Sequence, residues 1–458
     1  MSDAGYCKII KEKEEKYLND KATKSFSEGA KRDYNEEDCK YRTPFQRDRD
    51  RIIHSKAFRR LMHKTQVFVK PDSEHIRTRL THSLEVMQIA RTIARCVSAN
   101  EDLVEAVALG HDLGHTPFGH IGEEAINEKL LKFDLFFQHN IQSWRIVNYL
   151  EKYDRFLPQG GLNLTQAVKF GILRHSGKYV NNCEEVEVWD KDGKKTRVCF
   201  KQTLEEKIVR IADDIAWLNH DWEDGIKSGL LSYSLLSENI IDNLGIYQYE
   251  RINNMVIDVI EYFNQYGEVK HSQRMEGIKS ELKIRIKKYL WESEMIKRYN
   301  KEAKRIIGDL FDFFLDHPDK LPNETRDSRG LDNFDDKKKI AIVCADYISG
   351  MTDSWCLKNY ESYIYSPYSI FKLQLKEKKA WITLDIEKAN YELKEIPLKD
   401  KPEDLEMELD SLYVVCDFNN KKTKKRSCKL RYKGAGSFKL EEGDLNQIST
   451  GDVLLSSS

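Results

Sequence analysis

The stretch HDLGHTPFGHIGE, His111 to Glu123, places three imidazoles, a carboxylate pair and three glycines within thirteen residues. A His followed at once by an Asp sets a neutral nitrogen ligand beside an anionic oxygen ligand, a pairing suited to a divalent cation of borderline hardness. Gly114 is placed to end a helix, Thr116 to cap the next one, and Pro117 to occupy its first turn, where no amide hydrogen is missed. His120 and Glu123 then stand three apart on one helical face. The expectation is that metal ligands close one helix and a His/Glu pair opens the next.

Upstream, Asn100 is a cap for a periodic run in which Leu103, Val107 and His111 form one stripe, so His111 sits at the core-facing end of its helix. Before that, IRTRLTHSL (Ile76 to Leu84) leads into an apolar pattern and puts His82 near a helix start. Further upstream, Tyr41 to Gln66 interleaves Arg42, Arg47, Arg49, Arg51, Lys56, Arg59, Arg60 and Lys64 with apolar residues. Such a run is either a solvated helix face or an anion-binding one. Eight of the twelve histidines fall between His54 and His139, which favours the second.

Downstream, FFQHNIQSWRIVNYL (Phe136 to Leu150) brings His139, Asn140 and Gln142 to the start of a helix, where capping is the plainer role. Val186 and Val188, a turn at Asp190 to Gly193, then Val198 and Phe200 predict a small surface hairpin. Thr203 to Glu206 reads as a capping box ahead of a long helix. On it Asp213, Trp217 and Asp221 recur every fourth residue, and a carboxylate between Ile211 and Ile215 is costly to bury unless paired or metal-bound. Asp213 is therefore the natural fourth ligand, with Asp214 the neighbouring alternative. Helical patterning continues to about Tyr365, and Ile340 to Trp355 is apolar enough to cross the core. Beyond Pro367 the segments KAWITLDIE, SLYVVCDF and CKLRYKG alternate like strands.

The bounds are consistent with an enzyme of the cytoplasm. The 458 residues, 40% hydrophobic, suffice for a large helical body with an appendage. Lys and Arg number 75 against 76 Asp and Glu, a near-neutral balance that excludes a nucleic-acid coat and makes any phosphate site local. Nine scattered cysteines without a C-x-x-C pair read as reduced thiols. A polar start and the lack of a 20-residue apolar run predict neither a leader nor a membrane span.

His82, His111 with Asp112, and Asp213 give the H…HD…D order of the HD metal-dependent phosphohydrolases. The surrounding words FRRLMHKTQVF (Phe58 to Phe68), RTRLTHSLEV (Arg77 to Val86), HNIQSWRIV (His139 to Val147), RIADDIAWLNHDWEDGI (Arg210 to Ile226) and DYISGMTD (Asp346 to Asp353) are more specific. Together with the HDLGHTPFGHIGE stretch they resemble the deoxyguanosinetriphosphate triphosphohydrolase family over roughly residues 40 to 365. The resemblance implies a mainly α HD-domain helical bundle that hydrolyses a dNTP, dGTP by default, to deoxynucleoside and inorganic triphosphate. It implies that His82, His111, Asp112 and Asp213 hold one divalent metal (Mn2+, Mg2+ or Fe2+), and that His120 and Glu123 are the catalytic pair. Arg59, Gln66, Arg79 and His139 would contact substrate, with the sugar at Trp217 and Asp221. The family usually has tyrosine where this chain has Trp217.

The expected organisation is thus a polar N-terminal segment over 1–40, the HD body over 41–366, and a β-rich appendage with a disordered tail over 367–458. Family members commonly form homo-oligomers and some are activated by a second nucleotide; weak single-stranded nucleic acid binding is a further partner to consider. The competing readings are another HD phosphohydrolase, such as a 5′-nucleotidase or phosphodiesterase, and a non-catalytic nucleotide- or single-strand-binding protein.

Overall fold

The site is positioned by three helices that pack on one another through a shared apolar core: α4 (Arg79–Cys96), α5 (Glu101–Gly110) and α9 (Leu204–Lys227). Ile93, Val104, Val107, Ile208, Ala212 and Ile215 are among the fully or almost fully buried residues between them. The computed structural model describes residues 5–66, 77–152, 160–176, 185–328, 330–331 and 334–364, and seven strands between 374 and 456. Local chemistry sets where each helix begins. Thr78 accepts from the Thr81 amide at the start of α4, Asn100 accepts from the Asp102 and Leu103 amides at the start of α5, and Thr203 accepts from the Glu206 amide ahead of α9. Only half of the capping box forms at α9, because the Glu206 carboxylate accepts from Arg174 and Gln202 instead.

Around this centre the chain adds α1 (Gly5–Tyr17), α2 (Pro44–His54), α3 (Lys56–Arg60), α6 (His120–Leu131), α7 (His139–Arg145) and α8 (Gln166–Arg174). The second half supplies α10 (Glu238–Leu244), α11 (Gln248–Tyr266), α12 (Gln273–Ile286), α13 (Glu294–Asp316), α14 (Asn323–Ser328), α15 (Lys337–Ser349) and α16 (Asp353–Tyr363). As its composition implied, α15 is a core helix, buried from Ile340 to Asp346 and again at Ile348 and Ser349. Arg145 on α7 lies with its guanidinium 3.5 Å from the Trp189 ring centroid and pairs with Asp346 of α15. Among the described residues no helix is long and apolar enough to cross a membrane.

Two expectations are corrected. The hairpin forms as β1 (Val186–Trp189) and β2 (Lys195–Val198), antiparallel, but it is not superficial: Val186, Val188 and Trp189 are buried, and the Trp189 indole donates to the Phe136 carbonyl. Thr116 caps nothing. Its hydroxyl donates to the Gly119 carbonyl, Phe118 and Gly119 both take positive φ, and α6 begins only at His120. Phe118 adopts that strained conformation because its amide is held by Asp353 at 3.1 Å. The arginine run is largely consumed by ion pairs: Arg42 and Arg49 with Asp50, Arg47 and Arg51 with Glu36. Lys64, buried, donates to the carbonyls of His115 and Ser349.

The chain divides into two units, Met1–Leu357 and Lys358–Ser458. Within the first, residues ahead of α2 are tied down by Arg32 to Asp48 and by Thr23 to Glu205. In the second, β3 (Gln374–Lys376), β4 (Lys379–Trp381) and β5 (Ile396–Pro397) pair antiparallel, as do β6 (Ser411–Asp417), β7 (Arg426–Tyr432), β8 (Phe438–Glu442) and β9 (Asp452–Ser456) in the order β8-β7-β6-β9. The turn expected near Asn419 and most of the basic run after it lie outside the described residues.

Candidate metal centre

Four side chains from α4, the end of α5 and the middle of α9 converge. His82 Nε2 lies 3.1 Å from Asp213 Oδ1 and 3.8 Å from Asp112 Oδ2, and His111 Nε2 lies 3.3 Å from Asp112 Oδ1 and 3.9 Å from Asp213 Oδ1. Two atoms that ligate one ion at right angles, each about 2.1 Å from it, stand about 3 Å apart, so these separations suit a common cation. His111 Nδ1 is hydrogen-bonded to the Ala108 carbonyl at 2.6 Å, which makes Nδ1 the donor and leaves Nε2 as a lone pair aimed into the cluster. That Nε2 is buried with no hydrogen-bond partner among the described residues. An orphaned imidazole nitrogen facing two carboxylates is the mark of a metal ligand rather than of a packed core.

The electrostatics agree. Burial works against the Asp112 carboxylate, yet the His111 and His115 imidazoles and the Arg79 guanidinium outweigh it and hold it well below the usual range. Asp213 is likewise penalised by burial and held down to about 2 by His82 and His111. The choice between Asp213 and Asp214 is geometric. Asp214 turns away, accepting from Lys279 Nζ at 2.6 Å and from the Trp217 indole at 3.0 Å.

A second set of imidazoles adjoins the first. Glu123 Oε2 lies 2.9 Å from His139 Nδ1 and 3.3 Å from His120 Nδ1. His139 is 12% exposed at its side chain and His120 73%, so the two imidazoles that share Glu123 differ sharply in environment. Burial raises the Glu123 carboxyl, but His139 and His120 overcome it and keep it ionised, and that charge in turn raises His139 against its own burial. His139 Nε2 stands 3.3 Å from His175 Nε2, and His115 stacks on His139 with centroids 4.0 Å apart. His115 and His175 were not singled out in the sequence. The available signals were positional: His115 is one turn past Asp112, and His175 ends the apolar helix α8, its Nδ1 on the Ile172 carbonyl.

The remaining expected residues fall in three places. Arg79 Nη1 donates to Asp112 at 2.8 Å, while its Nε and Nη2 are buried without a partner among the described residues, as is Gln66 Oε1. Gly119 lies against both, since a Cβ there would come within 2.9 Å of Arg79 Nη2 and 3.4 Å of the Gln66 carbonyl. Trp217 lines a cleft of about 1530 Å³ together with Asp213, His175 and Lys283. Its ring stacks on Trp291 at 5.7 Å, and the Trp291 indole donates to Asp221 Oδ2 at 2.9 Å. Burial pushes Asp221 up to about 7. Arg59 lines a different cavity, of about 770 Å³, with Arg60, Glu151 and Tyr347.

An H…HD…D quartet gathered on a helical scaffold defines an HD-domain phosphohydrolase, and residues 79–218 match the HD domain while residues 269–362 match the phosphohydrolase-associated domain. Among curated proteins the chain is 46% identical to a deoxyguanosinetriphosphate triphosphohydrolase-like protein of Caldanaerobacter subterraneus subsp. tengcongensis, over 79% of this chain and 96% of that one. It is 40% identical to a protein of the same description from Clostridium tetani, covering 71% and 86% respectively. The chain belongs to the deoxyguanosinetriphosphate triphosphohydrolase-like family.

Proposed function

We propose that the protein hydrolyses deoxynucleoside triphosphates, dGTP the first to be tried, to deoxynucleoside and inorganic triphosphate. The observation that carries this reading is the quartet beside a guanidinium with two buried nitrogens that have no partner among the described residues, a cation site and an anion handle in one wall. His82, His111, Asp112 and Asp213 would hold one divalent cation; Mn2+, Mg2+ and Fe2+ all accept such mixed nitrogen and oxygen ligation. When bound, the cation supplies Lewis acidity at a phosphoryl oxygen and lowers the pKa of water.

This chain's own residues do the rest. Arg79, fixed by Asp112, offers phosphate oxygens its Nε and Nη2, which have no partner among the described residues, and Gln66 adds a further contact, whereas Arg59 lies on a separate cavity and is left out of this contact set. Water attacks the α-phosphorus and the bond to the sugar 5′-oxygen breaks. The departing alkoxide needs a proton, which a Glu123-bound imidazole provides. His120 is our assigned donor with Glu123 as its partner. His139, bonded to the same carboxylate, contacts substrate from the buried side. Trp217 and Asp221 would frame the deoxyribose. We further propose the polar segment 1–40, the HD body 41–366 and a β-rich appendage 367–458 as the functional divisions, and a homo-oligomer as the working form.

Incubating the full chain with each dNTP and Mn2+, with and without a chelator, and separating products by ion-pair chromatography tests the reading. Triphosphate and deoxynucleoside in equal amounts are expected, lost on chelation. Release of orthophosphate or pyrophosphate would point to another HD phosphohydrolase, and nucleotide binding without turnover to a binding protein.

A further inference from the structure

The second nitrogen of His82 is held by a side-chain chain that runs away from the cleft. His82 Nδ1 lies 3.2 Å from His220 Nδ1, the rings meeting edge-on at 84°. His220 Nε2 is in contact with the Glu85 carboxylate, and Glu85 is fixed in turn by Arg77 Nε at 3.0 Å. His82 and His220 are 1% and 0% exposed, so water does not mediate the contact, whereas Glu85 is half-buried. His220 lies seven residues past Asp213, two turns along the same face of α9, and Glu85 lies three residues past His82 on α4.

The proton positions follow from this order. The Glu85 carboxylate against His220 Nε2, although the two atoms make no hydrogen bond in this structure, favours the His220 tautomer with its hydrogen on Nε2, since a carboxylate only accepts. A neutral His220 then has its lone pair at Nδ1, and a contact between two Nδ1 atoms at this distance needs one N–H and one lone pair. The N–H must therefore belong to His82 Nδ1. That leaves His82 Nε2, 3.1 Å from Asp213 Oδ1, as the nitrogen presented to the cluster and the one that gives up its place at the carboxylate to a bound cation. We infer that Glu85 and His220 are positioning residues that hold the His82 ring with Nδ1 turned outward and Nε2 toward the cluster, the orientation in which it can ligate a metal. His111 needs no such device, because the Ala108 carbonyl performs the same task from the backbone. The inference rests on the proposed metal-holding role of His82 and not on the identity of the substrate.

Calorimetric titration of the metal-free full chain with Mn2+ reads the effect directly. Loss of an outer hydrogen-bond partner of a ligating His lowers metal affinity about 10- to 100-fold, and that loss is expected for His220→Ala and His220→Phe. His220→Gln should recover most of it, since its amide oxygen can accept from His82 Nδ1–H, which a merely space-filling role would not predict. In 15N spectra of the metal-free protein, the Nδ1-protonated signature of His82 should be present in the wild type and His220→Gln and lost in His220→Phe. Should the His220 variants fail to fold, Glu85→Ala, at a half-buried position, decides: about a tenfold weaker Mn2+ affinity is expected, and wild-type affinity with an unchanged His82 signature overturns the inference. His82→Ala serves as reference. If it binds Mn2+ like the wild type, the metal reading itself fails, independently of the relay.

Discussion

Gly114→Ala tests whether α7 and the motif loop form one unit. A Cβ at Gly114 would lie 2.2 Å from the Ser143 amide nitrogen, 2.3 Å from the His139 carbonyl oxygen and 2.6 Å from the Gln142 carbonyl carbon. All three are backbone atoms, so no side chain can swing aside, and α7 must retreat by about 1 Å to restore contacts near 3.4 Å. The retreat pulls on two buried hydrogen bonds, Gly114 amide to Ser143 Oγ at 2.8 Å and Ser143 Oγ to the His111 carbonyl at 2.7 Å. At about 1 kcal/mol for each weakened bond and about 1 to 3 kcal/mol for overpacking, the expected destabilisation is about 3 to 5 kcal/mol. His139 starts α7 and holds Glu123 at 2.9 Å, so the same shift displaces it from the proposed catalytic pair. A misplacement of about 1 Å costs about a hundredfold in turnover. Differential scanning calorimetry and dNTP hydrolysis well below the transition measure the two effects separately. Gly277→Ala, where a Cβ meets nothing within 4 Å on helix α12, is the control and should be neutral or stabilise by about 0.5 to 1 kcal/mol. If Gly114→Ala unfolds within about 2 °C of the wild type and keeps its turnover, the packing argument is wrong.

Four further outcomes are expected. His111→Ala, Asp112→Ala and Asp213→Ala should lose bound Mn2+ in an elemental analysis while Asp214→Ala retains it; the reverse for the last pair would move the ligand by one residue. His120→Ala should bind metal and dNTP yet turn over about a hundredfold more slowly, and an intact rate there with a collapsed one in His139→Ala would transfer the proton to His139. Trp217→Ala should raise ribonucleotide relative to deoxyribonucleotide turnover, because an indole offers only a donor and leaves a 2′-hydroxyl without an acceptor; an unchanged ratio in the folded variant removes Trp217 from sugar selection. Asp221 supplies a pH test: burial raises its folded pKa to about 7 in the presence of the Trp291 indole, Asp224, His82 and Arg79, so its contribution favours the folded state fully below about pH 4 and is lost as pH rises through 7. Asp221→Asn should therefore gain in Tm relative to the wild type between pH 5 and pH 8, and a difference independent of pH would contradict the buried-acid reading.

The features that were legible in the sequence are those decided within a few residues. The Asn100 cap, the stripe that buries His111, and the apolar run of α15 depend on neighbours one or two turns away and stand as read, whereas at Thr203 the cap forms without the rest of its capping box. Thr116 and Pro117 formed an equally good local signal and were overruled. The Phe118 amide is held by Asp353, 235 residues on, and the His115 carbonyl by Lys64, so the loop stays open for three more residues before α6 begins. The ion pairs of the arginine run were illegible for the same reason: its partner Glu36 is distant enough to leave no periodic trace, and even Asp50, though near, is not marked as a partner by spacing.

The same distinction explains which parts of the site could be read. The proposed ligand quartet is declared by residue type and order, but an imidazole has two nitrogens, and type alone does not say which one is presented. Here four imidazoles of the cluster have four different fixtures: the Ala108 carbonyl for His111, the Ile172 carbonyl for His175, Glu123 for His139 and His220 for His82. Two of these are backbone atoms, which no residue pattern records, and the other two are side chains with separate claims of their own. A sequence can therefore name the ligands of such a centre while leaving out the hydrogen bonds that make them ligands. His115, His175 and His220 were passed over on that account, since their place in the site depends on what their second nitrogens and ring faces touch rather than on where they stand in a motif.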